Sequence, residues 1–192
     1  MSRRLTVAAL LVALAGCSTP PPPPAPLDGI PEHRLAVSTL DVADAYAPPG
    51  DSASFIDRRH TGELAAATRQ YLSTRLIATG GEAVAQASIV QASIVEEPRQ
   101  PSGKLGAPIV REPDADLHGI VEVRVGVADA FGKELGFASA RVERRRSVLE
   151  MTPVLERDRM AGEMIRQLMV DLDEALDRSM RENLGIFLKP PG

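Results

Sequence analysis

The sequence predicts an α+β domain, in which a mostly antiparallel four-stranded sheet carries two helices on one face in the order β-α-β-β-β-α. Residues 117–130 and 137–148 alternate between apolar and polar side chains, which predicts the two strands of a hairpin. Residues 152–184 repeat apolar side chains every three or four positions, which predicts a long helix. Elements of these two kinds bury their apolar faces against each other, and this gives the two-layer class.

The first half of the domain contributes one strand and one helix to this prediction. Residues 34–42 alternate and predict the first strand. Residues 44–60 predict a loop because they contain Pro48-Pro49-Gly50. Residues 61–79 are rich in Ala and Leu and carry an apolar stripe at helical spacing, so they predict the first helix. Gly80-Gly81 predict its end, because glycine is favoured just after a helix.

A near repeat lies within residues 82–95, where Gln-Ala-Ser-Ile-Val occurs at 86–90 and again at 91–95. These β-type residues predict a strand. A five-residue period places equivalent side chains on opposite faces, because strand side chains alternate with a period of two. The strand is therefore either buried on both faces or interrupted midway by a bulge that resets the alternation.

Residues 97–116 predict an irregular loop, because Pro and Gly recur through them. Loops of this length inside a compact domain are usually functional or mobile. Two interpretations stay open for it: a contact surface and plain disorder.

The hairpin that follows has a clear apolar face. A turn around Gly132 joins its two strands. Glu122 and Arg124 lie on the opposite face from the predicted apolar residues. Those apolar residues are Val121, Val123, Val125 and Val127 on the first strand and Ala138, Ala140 and Val142 on the second.

The final helix is predicted to begin with Thr152 as N-cap and Pro153 in its first turn. Gly185 predicts its end, after which residues 186–188 fold back and residues 189–192 fray. Its stripe consists of Met164, Ile165, Leu168, Leu172, Leu176 and Met180. Methionines on or beside this helix favour ordinary core packing over a groove for acyl chains or a partner helix. They are Met151, Met160, Met164, Met169 and Met180.

The N-terminus has the layout of a secretory signal. Arg3 and Arg4 precede an uncharged apolar run, residues 5–15, which ends in small residues before Cys17. The run is too short to span a bilayer, since spanning needs roughly 20 apolar residues. Five consecutive prolines follow at 20–24, so residues 17–31 favour an extended polyproline II tether of roughly 40 Å. A proline-rich ligand for another protein is the less favoured alternative.

The segment Leu14-Ala15-Gly16-Cys17 resembles a bacterial lipobox. The resemblance implies cleavage between Gly16 and Cys17 and acylation of Cys17, including palmitate-type chains. Ser18 is not aspartate, which in the best-known bacterial sorting rule implies transfer to the outer membrane. The alternatives are a signal without lipidation and a chance apolar helix followed by a cysteine.

These features divide the chain into four parts. A signal peptide covers residues 1–16, and the acylated cysteine with its tether covers residues 17–33. A single periplasmic α+β domain covers residues 34–188, and residues 189–192 form a frayed C-terminus. This length suits one domain.

Composition excludes several classes of function. Loss of the signal removes two arginines and no acidic residue, so the formal charge falls from −4 to −6. A mildly acidic body argues against nucleic acid or an anionic membrane face as the main partner, because both reward a basic surface. Cys17 is the only cysteine, there is no Trp, and aromatics make up 3% of the chain, which argues against disulfides and carbohydrate-stacking surfaces.

No catalytic or metal-binding constellation emerges from the sequence. It lacks the G-x-S-x-G motif, and acylation leaves no free thiol. His33, His60 and His118 are scattered, and no H-E-x-x-H motif is present, so we expect no metal. We therefore expect no enzymatic activity and no cofactor. Four acidic side chains of the final helix predict a solvated face with ion pairs rather than a cation site. They are Asp171, Asp173, Glu174 and Asp177.

The run Arg144-Arg145-Arg146 is the most suggestive polar feature of the domain. Arginine holds phosphate and carboxylate groups in a planar fork, so the run predicts contact with an anionic lipid head group or an acidic partner. A solvated strand end, with side chains alternating between faces, is the other interpretation.

The order of elements behind a lipidated cysteine and a tether resembles two groups of small Gram-negative envelope lipoproteins. These are the lipopolysaccharide-assembly lipoprotein that supports an outer-membrane β-barrel and the auxiliary lipoproteins of ABC-type transport. Residues 156–184 are similar to the charged, Met-containing last helix of the former. The resemblance implies an outer-membrane lipoprotein facing the periplasm that docks onto a β-barrel or transporter component. A lipid-binding module that carries phospholipid or lipopolysaccharide is the alternative.

Overall fold

The structure is a computed structural model that describes residues 30–50, 53–99 and 113–190. It has the predicted α+β class, with both helices packed against the sheets. In chain order the elements are β1 (His33–Leu35), β2 (Thr39–Asp44), α1 (Phe55–Arg75), β3 (Leu76–Ala78), β4 (Val84–Pro98), β5 (Pro113–Ala128), β6 (Glu134–Leu149), α2 (Val154–Asn183) and β7 (Leu188–Lys189). A 3-10 turn, Gly185–Phe187, precedes β7.

The strands form two sheets around one hydrophobic core. The larger sheet has the order β2-β4-β5-β6, in which β4, β5 and β6 are antiparallel and β2 runs parallel to β4. The smaller sheet has the order β3-β1-β7, with β1 parallel to β3 and antiparallel to β7. The sequence predicted only the larger sheet.

The single strand predicted over residues 34–42 is divided between these sheets. The chain leaves β1 at Ala36, and the Val37 N–H donates to Leu35 O at 2.9 Å. Ser38 then donates from its N–H and its hydroxyl to Ala83 O, at 2.7 and 2.9 Å. These bonds hold a short crossing segment, so β1 and β2 belong to different sheets.

Both ends of α1 differ from the prediction. The helix begins at Phe55, inside the predicted loop 44–60, because the Ser54 hydroxyl accepts a hydrogen bond from Asp57 N–H at 3.0 Å as N-cap. It ends at Arg75 rather than at the glycines, because Leu76 is extended and starts β3. Gly81 instead serves the turn into β4. A Cβ there would lie 2.5 Å from Ala36 O, so only glycine fits.

The near repeat in β4 contains a bulge, which is one of the two arrangements that its five-residue period predicts. Ile89 lies opposite Val123 and Gln91 lies opposite Glu122, so Val90 is the extra residue. The bulge resets the alternation, and both Ile89 and Ile94 point into the core as a result.

The predicted loop 97–116 is shorter in the structure. Glu97 pairs with Asp116 and Pro98 with Ala115, so both of its ends are strand. Pro98 and Pro113 occupy strand ends, where a missing N–H costs little. The remainder, residues 100–112, lies outside the described residues, as do residues 1–29 with the signal, Gly16, Cys17 and most of the tether.

The hairpin of β5 and β6 is confirmed, with all four predicted valines and Ala138 fully buried. The α2 stripe is also buried, and Met160, Met164, Met169 and Met180 belong to the core, as favoured. Core packing is wrong for Met151, which lies before the helix and is exposed. Pro153 rather than Thr152 is the N-cap, because the Thr152 hydroxyl donates to Leu149 O at 2.6 Å instead. Beyond α2, Phe187 and Leu188 pack against the core.

Side chains of α1 bond to the part of β4 that has no neighbouring strand on one side. Strand β2 pairs with only the first part of β4, which leaves the backbone after Ile89 without a neighbouring strand on that side. The Thr61 hydroxyl of α1 accepts from Ile94 N–H at 3.0 Å and donates to Ile94 O at 3.2 Å. Asp57 accepts from Glu96 N–H at 3.0 Å. Side chains of α1 thus satisfy backbone groups of β4 that would otherwise be open to pairing with a strand of another chain.

Candidate functional surfaces

Two exposed apolar patches lie at opposite ends of α2. The distal patch consists of Leu149, Met151, Val154 and Leu155, at the N-terminal end of the helix. The proximal patch consists of Phe131, Leu135, Phe137 and Ile186, near its C-terminal end. A helix of 30 residues is about 45 Å long, so the two patches lie far apart along the molecule.

The distal patch is presented by a short, strained turn between β6 and α2. Met151 has φ 61°, a left-handed conformation that is costly for a residue other than glycine. Met151 is 83% exposed and Leu155 is 73% exposed. Leaving these apolar side chains in water is unfavourable. The left-handed backbone at Met151 is a second unfavourable feature of the turn. Clustered apolar exposure of this kind marks contact sites on soluble domains.

Arg157 fixes this turn to the sheet. Its Nε donates to Thr152 O at 3.1 Å, and its guanidinium is hydrogen-bonded to Glu96 on β4. The same guanidinium lies 3.8 Å from the Asp114 carboxylate on β5. One half-buried side chain thereby ties the turn to two strands, so the distal patch is held by the rigid part of the fold.

The proximal patch lies where the chain enters and leaves the domain. Phe131 and Leu135 line a groove with Ala36 and Phe187. An adjoining groove joins Gly185, the residue before Ile186, to Pro31 and Arg181. The proximal patch, the start of β1 and the end of α2 therefore share one end of the molecule.

The run Arg144-Arg145-Arg146 is divided between the two faces of the larger sheet. Arg144 donates to Asp171 of α2 at 2.8 Å, and Arg146 donates to Glu163 of α2 at 2.6 Å. Arg145 lies on the other face and donates to Glu97 at 3.1 Å. Hydrogen bonds to these partners raise the pKa of Arg144 and lower the pKa of Glu163. Each guanidinium of the run thus has carboxylate partners in its own chain, and contact with an external anion stays a prediction.

A buried polar cluster joins β1 to both helices. The Asp173 carboxylate is 8% exposed, and its Oδ1 accepts from the Tyr71 hydroxyl at 2.8 Å. His33 Nε2 lies 2.7 Å from the same oxygen, and His33 Nδ1 lies 3.5 Å from Asp177 Oδ1. Burial and the nearby Asp173 charge raise the pKa of Tyr71 well above its usual value. The prediction of a solvated acidic face on α2 is therefore wrong for Asp173, because His33 and Tyr71 cover it.

A second histidine bridges carboxylates on the outer face of the larger sheet. His118 Nδ1 lies 2.9 Å from Glu97 Oε1 and its Nε2 lies 2.8 Å from Glu143 Oε1. Hydrogen bonds with His118 lower the pKa of both glutamates. His60 is buried too, in α1, with Nε2 3.2 Å from Asp158 Oδ1.

The three histidines are scattered along the sequence, but in the structure each one has a carboxylate partner on another element. No spacing rule could have found these pairs, because His33 and Asp173 are 140 residues apart. Across residues 30–50, 53–99 and 113–190, no group of three His, Cys, Asp or Glu side chains is placed to hold a metal ion. Neither helix in these ranges is long and apolar enough to cross a bilayer.

No family model and no curated protein matches the sequence. Among solved structures, the chain is similar to the rare lipoprotein B from Shewanella oneidensis, with 16% identity, coverage of 76% of this chain and 95% of that one, and a TM-score of 0.37. It is similar to an uncharacterized lipoprotein B from Nitrosomonas europaea, with 15% identity, coverage of 78% and 90%, and a TM-score of 0.35. It is also similar to a putative neuraminyllactose-binding hemagglutinin homolog from Helicobacter pylori, with 10% identity, coverage of 82% and 92%, and a TM-score of 0.45. Likenesses with TM-scores below 0.5 do not indicate what this chain does.

Proposed function

We propose that this chain is a lipoprotein of the outer membrane, anchored through Cys17, that acts without catalysis by docking onto a larger envelope protein. The partner is a β-barrel or an ABC-type transporter component that assembles or transports envelope material. The domain faces the periplasm on its polyproline tether.

The anchor is supported by the order of features at the N-terminus. Positive charge, an apolar run, small residues and Cys17 follow one another in the order that a lipobox requires. An acylated N-terminus and a tether of roughly 40 Å would hold the domain near the membrane while leaving it free to meet a partner.

Docking is supported by one observation, the distal patch on its strained turn. A chain with no partner gains nothing from exposing Met151 and Leu155, since burying each would be worth roughly 2 kcal/mol. Charged residues interleave with these apolar side chains in the sequence, among them the exposed Glu150 and Arg159. That arrangement is typical of transient protein interfaces.

The anchor is tested by intact-mass analysis of the chain purified from membranes of a Gram-negative host. We expect a mature chain that starts at Cys17 and carries the mass of its acyl groups, and we expect Cys17→Ser to be released from the membrane. A chain that retains Met1, or an unmodified thiol at Cys17, would show the anchor to be wrong.

Docking is tested by photo-crosslinking in cells of the source organism. A photoreactive amino acid at Met151 or Leu155 should capture one barrel or transporter component, identified by mass spectrometry. The matched control position is Glu174, which is exposed on the same helix. Equal capture from Glu174, or no protein captured from the distal positions, would contradict docking through this patch.

The lipid-carrier alternative has a readout in the same preparation. Native mass spectrometry of the chain should show no phospholipid or lipopolysaccharide beyond its own acyl groups. Met160 and Met164 support this expectation, because both side chains are packed in the core and do not line a groove that could hold an acyl chain. A co-purifying lipid lost on changing Arg144, Arg145 and Arg146 to serine would favour the carrier instead.

A further inference from the structure

The proximal patch presents apolar side chains at the end of the domain that receives the tether. Phe131 is 95% exposed and Ile186 is 87% exposed, with Leu135 and Phe137 partly exposed beside them. The patch combines two aromatic and two aliphatic side chains, from the β5–β6 turn, the first residues of β6 and the turn after α2. Neither turn forms part of the docking surface proposed above.

The turn that carries Phe131 is rigid. Asp129 Oδ1 accepts from the N–H groups of Phe131 and Lys133, both at 2.9 Å. Asp129 N–H in turn donates to Lys133 O at 3.0 Å, and Gly132 adopts φ 81°. These hydrogen bonds fix the backbone of the turn in a conformation that leaves the Phe131 side chain exposed.

The charges of the hairpin beside Phe131 do not oppose contact with a phospholipid surface, although Glu82 also lines the groove with Phe131. The two acidic side chains of the turn are engaged within the chain, Asp129 by the backbone and Glu134 by Arg124 at 2.7 Å. Arg124 also stacks on the Phe137 ring, 4.2 Å from its centroid. Lys133 lies two residues after Phe131, and a lysine there can extend toward lipid phosphates while the ring enters the apolar region.

The position of the tether selects the occupant of the patch. Only 12 residues, 18–29, separate the anchoring cysteine from Ile30, which packs against the core. Ile30 adjoins Pro31, which lines a groove with Gly185, the residue before Ile186. The tether therefore attaches at this end of the domain, so the proximal patch lies nearer to the acyl anchor than the distal patch does.

We propose that the proximal patch inserts into the phospholipid surface that holds the anchor, so that a second, side-chain contact sets the orientation of the domain. Two attachments at one end would direct α2 away from the bilayer. The distal patch would then stand about 45 Å further out, where it meets its partner. This inference rests on the proposed anchor.

The test uses the full acylated chain in vesicles of phosphatidylethanolamine and phosphatidylglycerol. Acylation consumes the thiol of Cys17, so a cysteine introduced by Phe131→Cys or by Met151→Cys is the only one that reacts with an environment-sensitive dye. We expect dye at position 131 to show a blue-shifted emission and to be quenched several-fold by lipids with a quencher in the acyl chain. Dye at position 151 should show neither effect.

Two controls separate the failure of this inference from the failure of the anchor. The wild-type chain must take up no dye and must float with the vesicles, because a free Cys17 or unbound protein would contradict the anchor itself. If the chain floats but dye at position 131 reports water, membrane insertion of the patch is wrong.

A paired set of variants tests whether the apolar side chains cause the insertion. Phe131→Ser combined with Ile186→Ser should abolish the quenching of a dye at position 135, introduced by Leu135→Cys. Met151→Ser combined with Leu155→Ser should leave that quenching unchanged. Quenching that depends on protein density, and not on the quencher lipid, would show that a second copy of the chain covers the patch, which would overturn the proposal.

Discussion

The two faces of the larger sheet differ in what covers them and in what stabilises them. The inner face carries side chains such as Val121 and Val123 and is sealed by α1 and α2. The outer face carries alternating charges and no helix of the described chain lies on it. Its side chains pair across the strands instead, as Arg141 does with Glu122 at 2.9 Å and His118 with Glu143 at 2.8 Å.

This difference separates stability from surface chemistry. A buried leucine contributes roughly 2–5 kcal/mol, whereas an exposed ion pair contributes about 0–1 kcal/mol and is screened by salt. The inner face therefore determines whether the domain folds. The outer face can change its side chains with little effect on folding, so it is the face whose chemistry is free to vary.

The inner side has one polar exception, the cluster of His33, Tyr71 and Asp173. It joins the strand that follows the tether to α1 and α2 through one carboxylate. A pull on the tether would therefore be carried by both helices rather than by the three-residue strand β1 alone.

The largest effect is expected from Leu168→Ala on the inner face. Leu168 is fully buried beside Gly119, where a Cβ would lie 2.9 Å from it. Removing the side chain leaves a cavity in closely packed surroundings, so we expect a loss of about 3–5 kcal/mol in the free energy of unfolding, measured in urea. Val170→Ala, on the exposed side of the same helix, should cost less than about 1 kcal/mol. Equal losses would show that α2 does not cover the sheet as described.

A slightly smaller effect is expected from Asp173→Ala. This change removes the shared acceptor of His33 and Tyr71 and leaves both side chains buried without it, at a cost of about 3 kcal/mol. Glu174→Ala is the matched control, since it removes the neighbouring exposed carboxylate and should cost less than about 0.5 kcal/mol. A loss at Asp173 no larger than that of the control would mean that the cluster contributes nothing to stability.

The fold class and the long elements could be predicted because their patterns are local. The α2 stripe spans about five turns, and each strand of the β5–β6 hairpin is 16 residues long, with alternation over most of its length. Strands of two or three residues, such as β1, β3 and β7, are too short to show a period of two. The smaller sheet was missed for that reason, and with it the separate roles of residues 33–35 and 39–44.

The candidate surfaces were less predictable than the fold. The anchor motif is local and stays a prediction from the sequence, whereas the patches depend on which apolar residues the tertiary structure leaves uncovered. A usable signal did exist for Asp173, which lies on the α2 stripe between Met169 and Leu176 and so points inward. Its partner His33 could not be found, because their contact joins the two ends of the domain.

A pH-dependent effect is expected from Tyr71 on the inner side. Burial, followed by the Asp173 charge, raises the pKa of Tyr71 above its ordinary value of 10.0. A raised acid pKa means that the stabilising contribution is present below pH 10 and is lost as pH rises above it, because only the unfolded chain ionises there. Tyr46→Phe leaves Tyr71 as the only tyrosine, so phenolate absorbance should appear together with the loss of helical circular dichroism.

Phenolate absorbance that rises while the circular dichroism is still native would contradict a buried Tyr71. The matched variant Tyr71→Phe should unfold over an alkaline range that no longer includes this ionisation. Its stability should therefore decline less steeply between pH 10 and more alkaline values than that of Tyr46→Phe.

The smallest effect is expected on the outer face, from His118→Gln. Hydrogen bonds with His118 hold the pKa of Glu97 and Glu143 below the ordinary value of 4.5. Because these pKa values are lowered on folding, the contribution is present above pH 4.5 and is lost as pH falls through the folded values. His118→Gln should flatten that acid limb and lower the melting temperature at pH 7 by no more than about 4 °C. Some slope should remain, because Arg146 still lowers the pKa of Glu163. A loss comparable to that of Asp173→Ala would contradict the distinction between the two faces, since it would place a folding determinant on the face that the helices leave open.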